Sequence, residues 1–200
     1  MKPLFFLALT ILAVTGHSGA DSVVLVPVAD ATVWQGNPGS NYGSTNELTV
    51  GFVTGWCNTL IEFDLASLTG ATINSAAIYF YVWELNGAVP VDELYVGRND
   101  SDWQENIVTW DTRPYFSGIS PIPQLSDLGW WEIDVTGLVQ EFVNGTCPNY
   151  GFQVFKGDYE NATIRTRSRE YGSFSPYLMV YYEPQALENA TFGAIKAMFR

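Results

Sequence analysis

Histidine is almost missing from this chain of 200 residues: its one copy, His17, lies in the N-terminal stretch. Without a second histidine there is no Ser-His-Asp triad, no Cys-His pair, no His-based zinc site and no histidine base for a polysaccharide lyase, so only carboxylate, tyrosine or lysine chemistry remains. Cations are scarce too. Nine Lys and Arg stand against 21 Asp and Glu, a net charge of −12, which rules out a basic groove for nucleic acid or a patch for an anionic membrane. Long apolar runs are absent apart from Leu4–Val14, which falls short of the roughly 20 residues a membrane span needs.

That run has the form of a secretory signal peptide: Met1–Lys2 is a minimal positive start, and Ser18-Gly19-Ala20 supplies the small residues before a cleavage site. The organisation expected is a signal peptide over residues 1–20, a domain over 21–183 and a C-terminal tail over 184–200, in a secreted, extracellular protein whose mature form has no histidine. Cys57 and Cys147 are the only cysteines. An oxidising compartment lets them form a disulfide, whose loop of about 90 residues would stabilise the fold by up to roughly 4–5 kcal/mol; the alternative is two buried free thiols.

Past Ala20, short apolar or alternating runs are broken by turn chemistry every 8–15 residues or so, the pattern of an all-β sandwich. Strands are expected at Val23–Val28, Asp30–Trp34, Glu47–Gly51, Asn58–Asp64, Ser75–Glu84, Glu93–Arg98, Trp130–Asp134, Gly151–Lys156, Thr163–Arg169 and Tyr177–Tyr182. The fold class is a jelly-roll-like antiparallel β-sandwich with one short helix, capped by Asp134 or Thr136 and stopped at Asn144–Gly145, which covers one mouth. Thr191–Arg200 reads as an amphipathic tail, with Phe192, Ile195 and Phe199 on one side.

Eight segments, in collinear order over residues 29–182, resemble the DNRLRE domain, carbohydrate-binding module family 96. They are Ala29–Val33, Asn41–Ser44, Leu60–Leu65 with Ala71–Tyr81, Trp103–Trp110, Trp131–Thr136, Asn149–Phe152, Ser168–Glu170 and Pro176–Tyr182. The resemblance implies a secreted β-sandwich that binds polysaccharide, uronate-containing alginate being one family substrate. Such a module usually sits beside another domain; none is visible here, which puts the role of tethering an enzyme in doubt for this chain.

The residues themselves offer two constellations. Thirty aromatic residues exceed what a small core needs. If Ala76, Ile78, Phe80 and Val82 face the core, Tyr79, Tyr81 and Trp83 face outward, flat rings suited to stacking on sugar C–H faces. Tyr177 and Tyr181, with Met179, form the outward set of the last strand, against Leu178, Val180 and Tyr182. The alternative is that these rings pack beneath a long loop such as Arg98–Gly129. The second constellation is Arg165, Arg167 and Arg169, spaced i, i+2, i+4 along one strand face at about 7 Å, where guanidinium forks could grip sugar carboxylates or form exposed ion pairs. Trp103, Trp110, Trp130 and Trp131 read as buried structural aromatics. Asp30, Asp64 and Asp134 sit beside turns, where they could hold a structural Ca2+ or cap chain ends; no other cofactor is expected. Sequons at Asn99, Asn144, Asn161 and Asn189 mark surface turns.

The function expected is a non-catalytic module binding an extracellular polysaccharide through the arginine ladder and the aromatic face. The alternative is a structural or adhesive surface protein that self-associates or is docked by its tail. An enzyme is disfavoured: a lyase or glycosidase would have to use Tyr and Arg, or a carboxylate pair such as Glu93 with Glu105, and no acid/base spacing can be read.

Overall fold

The structure, a computed structural model, describes residues 20–185. The signal peptide, the tail helix and Asn189 lie outside the described residues, apart from Ala20 and the first two residues of the tail segment. Eleven strands form one continuous antiparallel sheet that curls into a sandwich. They are β1 (Asp21–Leu25), β2 (Pro27–Trp34), β3 (Glu47–Phe52), β4 (Trp56–Phe63), β5 (Thr72–Gly87), β6 (Leu94–Asn99), β7 (Phe116–Ile122), β8 (Gly129–Asp134), β9 (Phe152–Lys156), β10 (Ala162–Arg167) and β11 (Tyr177–Glu183).

The first layer holds β1, β11, β5, β8, β10 and β3, and the second holds β2, β4, β9, β6 and β7. The layers are joined where β3 meets β4 through only two residue pairs, Gly51 with Cys57 and Phe52 with Trp56. Between them lies the core predicted by alternation. Ile78, Phe80, Val82, Ile164, Leu178 and Val180 from the first layer meet Ile61, Phe63, Val96, Phe152 and Val154 from the second. Burial of these side chains contributes about 1.5–3 kcal/mol each.

Helix α1 (Thr136–Val143) closes one mouth, burying Leu138, Val139, Phe142 and Val143. Asp134 accepts the Thr136 backbone N–H at 2.9 Å, and Gln140 accepts from the Ile73 backbone N–H at 2.7 Å. The residues from Asp100 to Tyr115 cover the outside of the second layer, where Trp103 and Val108 bury Ala31, Val33 and Leu60.

Three departures from the sequence reading have physical causes. Val23–Val28 is not one strand: β1 pairs with β11 in one layer, and from Pro27 the chain pairs with β4 in the other. β7, Phe-Ser-Gly-Ile-Ser-Pro-Ile, escaped detection because Gly118 and Pro121 argue against a strand, yet it is an edge strand paired only to β6, where proline is tolerated. Asn99 is not on a surface turn: it is 1% exposed and its side chain donates to the Tyr150 carbonyl at 3.0 Å.

The expected disulfide is corrected as well, since Cys57 and Cys147 are both free thiols. Cys57 is near the start of β4. Cys147 lies two residues before Asn149, whose side chain donates to the Phe63 carbonyl at the other end of β4 (2.8 Å). Six residues of extended chain separate those ends by about 20 Å, whereas a bridge needs Cα atoms about 4–7 Å apart. The folded protein is therefore expected to run identically on denaturing gels with and without dithiothreitol and to titrate two thiols after unfolding; a mobility shift would contradict the separation.

Candidate functional site

β8 pairs with Ala77–Val82 of β5, overlapping the stretches paired by β11 (Thr72–Tyr79) and β10 (Val82–Gly87). A strand has two edges, so β10 and β11 lie end to end along the edge opposite β8. Ser168–Pro176 bulges out between them. The outer face of this first layer thus gathers side chains from four strands and one excursion.

The rings expected to face outward on β5 and β11 do so, and pairing brings them together: Tyr79 stacks on Tyr177 with centroids 4.8 Å apart. Phe174, from the excursion, stacks on Tyr81 at 4.3 Å, and Trp130 of β8 meets both Tyr81 (5.4 Å) and Tyr177 (5.2 Å) edge-on. Trp130 is 47% exposed and Phe174 51%, while Trp131 is 5% exposed and belongs to the core. Of the loop offered as an alternative cover for the rings, the stretch from Asp100 to Tyr115 lies on the opposite layer. Tyr181 and Tyr79 border a shallow cavity of about 230 Å3 that also takes in Glu132 and Met179. Burial, with Glu132 beside it, pushes the Tyr79 phenol up to about 12, so it remains protonated and able to donate.

Trp83 is an extra residue in β5: Thr166 pairs with Val82 and Arg165 with Glu84, so Trp83 and Glu84 both face outward. The Arg167 guanidinium lies 4.6 Å over Trp83 and 3.9 Å over Tyr171. No acidic side chain among the described residues forms an ion pair with Arg167; Glu47, its register partner on β3, turns to Arg165 at 3.7 Å. Arg165 also meets Glu84 at 3.2 Å.

Arg169 does not extend this row. β10 ends at Arg167, and Arg169 opens a 3-10 turn whose second residue, Glu170, donates its backbone N–H to the Ser168 hydroxyl (3.2 Å). Its guanidinium binds Glu105 (2.9 Å), Glu170 (2.9 Å) and the Val28 carbonyl, and its backbone N–H donates to Asp30 (2.9 Å). Glu105 in turn accepts the Asp30 backbone N–H at 2.8 Å, and Asn41 donates to the Glu105 and Val108 carbonyls, both at 2.7 Å. A Cβ on Gly43 would collide with the Glu105 carbonyl. The segments Ala29–Val33, Asn41–Ser44, Trp103–Trp110 and Ser168–Glu170 therefore converge on one polar knot, which anchors the excursion carrying Tyr171 and Phe174.

The Ca2+ candidates do not converge: Asp64 accepts the Ala66 backbone N–H, Asp134 accepts from Thr136 although the N-cap residue of α1 is Val135 and not Asp134 or Thr136, and Asp30 sits in the knot. Two acidic groups among the described residues have metal-like spacing, Asp30/Glu105/Glu170 and Asp92/Asp158/Glu160. Each already clasps a side-chain cation, Arg169 in the first and the buried Lys156 in the second. Of the carboxylates Glu93 and Glu105, the first accepts from the Tyr95 hydroxyl (2.6 Å) and the second is paired with Arg169.

A family model for carbohydrate-binding module family 96 matches residues 21–182. The chain belongs to carbohydrate-binding module family 96. A comparison with curated proteins finds no match. Among the described residues two guanidinium groups have no ion pair, Arg113 over Trp110 and Arg167 on the outer face of the first layer, and Arg167 is the one that lies beside the cluster of stacked rings. Trp130, expected among the buried structural aromatics, is instead exposed on this face, and Phe174 and Tyr171 are not among the residues expected from the sequence. For Trp130 the signal was present: alternation with Trp131 and Ile133 in the core turns Trp130 and Glu132 outward. Phe174 and Tyr171 lie outside any strand, and no periodicity locates them.

Burial pushes the Asp30 carboxyl up to about 8, Glu170 and Glu105 adding to the rise and the Arg169 backbone N–H opposing it. Between pH 4 and 8, roughly, the unfolded chain ionises Asp30 while the folded one keeps its proton, so stability falls as pH rises through that window. Asp30→Asn is expected to flatten this decline, measured as melting temperature against pH; an unchanged slope would count against it. Arg169→Ala strands two carboxylates, Glu105 and Glu170, and should cost on the order of 3 kcal/mol, lowering the melting temperature by about 6–12 °C.

Proposed function

We propose that this protein is a secreted, non-catalytic carbohydrate-binding module that holds an extracellular polysaccharide across the outer face of its first layer. The observation that carries this reading is the continuity of exposed rings, Trp130, Phe174 and Tyr81 with Tyr79 and Tyr177, with the unpaired guanidinium of Arg167. Rings stack on sugar C–H faces and exclude water, and hydroxyl groups at their edges exchange hydrogen bonds with sugar hydroxyls. Arg167, fixed between Trp83 and Tyr171, presents a fork to a carboxylate without first breaking an ion pair. A uronate-containing glycan fits this arrangement. The acidic surface opposes a polyanion only at long range, because salt screens beyond about 8–10 Å.

The leader-like start supports an extracellular setting. Family membership supports polysaccharide as the partner. The reading assigns no metal to binding, because the grouped carboxylates clasp Arg169 and Lys156, and Asp64 and Asp134 accept nearby backbone N–H groups.

Affinity electrophoresis of the domain in gels containing alginate, pectate or a neutral glucan tests it. Trp130→Ala and Phe174→Ala are each expected to weaken retention roughly tenfold with little change in melting temperature. Arg167→Ala, and also Arg167→Lys, should remove the preference for uronate gels, because lysine keeps the charge but not the planar fork. Retention of all these variants at the wild-type level would refute the assignment of this face.

A further inference from the structure

A separate cavity of about 260 Å3 opens on the same outer face, on the other side of β10 from the aromatic platform. Its walls are the rings of Trp34, at the end of β2, and Tyr42, from the following loop, 6.4 Å apart and tilted 55° to one another. Its floor is polar and small, formed by Thr32, Thr49, Thr163 and Cys57. Thr32 spends its oxygen on the Thr49 backbone N–H (2.9 Å), whereas no hydrogen bond within the described residues engages the hydroxyls of Thr49 and Thr163. Arg165 and Glu47 close the end nearest Arg167. The Arg165 Nε and the Trp34 Nε1 are buried donors without partners.

The size and charge of the cavity limit its ligand. It is smaller than the roughly 300–1,000 Å3 of sites for drug-sized molecules, so it suits a single ring. Arg165 lies between Glu47 (3.7 Å) and Glu84 (3.2 Å), which leaves no uncompensated cation for a carboxylate or phosphate. The pair instead offers a donor and an acceptor side by side, which match the adjacent hydroxyls of an uncharged sugar, while Trp34 and Tyr42 match its C–H surface. Burial pushes the Cys57 thiol up to about 12, against the pull of Arg165, so the floor carries no thiolate to react with or repel a ligand.

We propose that this cavity is a subsite for one uncharged pyranose unit, distinct in charge preference from Arg167. It deepens the reading of the outer face as a glycan-binding surface, and its position two residues along β10 from Arg167, about 7 Å, suits a neighbouring unit of the same glycan.

Saturation-transfer NMR with the folded domain and free D-glucose, D-galactose or D-mannose is the direct test. At least one neutral pyranose is expected to receive saturation from the protein, and glucuronate and galacturonate to give less than about a tenth of that response at equal concentration. Thr49→Tyr, which fills the cavity, should abolish the signal. Thr163→Val, which removes only a hydroxyl and preserves shape, should lower it about fivefold and serves if the larger substitution unfolds the domain. No transfer from any of the three sugars up to about 50 mM, transfer that survives Thr163→Val and Thr49→Tyr, or an equal response from the uronates would each overturn the proposal. The free-sugar measurements are made in a Trp130→Ala, Phe174→Ala background, which removes the platform, so the signal reports the cavity, and failure of the platform and failure of the cavity give different results.

Discussion

The grip of Arg169 on Glu105, Glu170 and the Asp30 turn is the interaction on which the working surface depends. It ties the chain after β10 to β2 in the other layer, to the covering segment through Glu105 and, through Asn41, to the loop before β3. Asp30 is 1% exposed, and one of its carboxyl oxygens is buried without a partner. Such a group is costly to leave unmatched, so the cluster is intolerant of losing a member even if its net contribution to stability is modest. What it secures is position: with the excursion held down, Tyr171 reaches Arg167 and Phe174 reaches Tyr81.

The distribution of the few cations explains how an acidic protein can still hold a grip for an anion. Arg98 pairs with Glu141, Lys156 with Asp158, Arg165 with Glu84, and Arg169 with Glu105. Arg113 lies 3.7 Å over the Trp110 ring, and Arg167 lies between two rings beside the aromatic platform. Aromatic stacking fixes a guanidinium in place without neutralising it, which a carboxylate cannot do. Arg165 and Arg167 are two residues apart on one strand face, yet their neighbours give them different chemistry: one lies between two glutamates, the other on two ring faces.

Much of the architecture was legible because alternation is a local signal. Ala76, Ile78, Phe80 and Val82 fixed the inner face of β5, and Tyr79, Tyr81 and Trp83 were left for the outer one. The same logic placed Leu178 and Val180 inside. It missed β7, whose glycine and proline are acceptable only because its outer edge is free of a partner strand. It read Arg169 as a third rung, since nothing in Thr163–Arg169 reveals that pairing stops at Arg167 and that Asp30, 139 residues away, accepts the Arg169 backbone N–H. The cysteines failed for a similar reason: chain entropy favours closing a long loop, and only the fold reveals that the two thiols lie near opposite ends of β4.

The sequence by itself determined the fold class, the absence of histidine chemistry beyond His17, the scarcity of cations and the face each β5 and β11 ring would occupy, because composition and two-residue periodicity need no partner strand to be read. Tertiary structure alone decided which faces merge, since β10 and β11 share an edge of β5 only through long-range pairing. It also decided which arginine is free and which is bound, because a guanidinium is defined by the carboxylates or rings that folding brings within about 4 Å of it. Those partners come from distant segments, and neither the spacing nor the identity of the arginines encodes them.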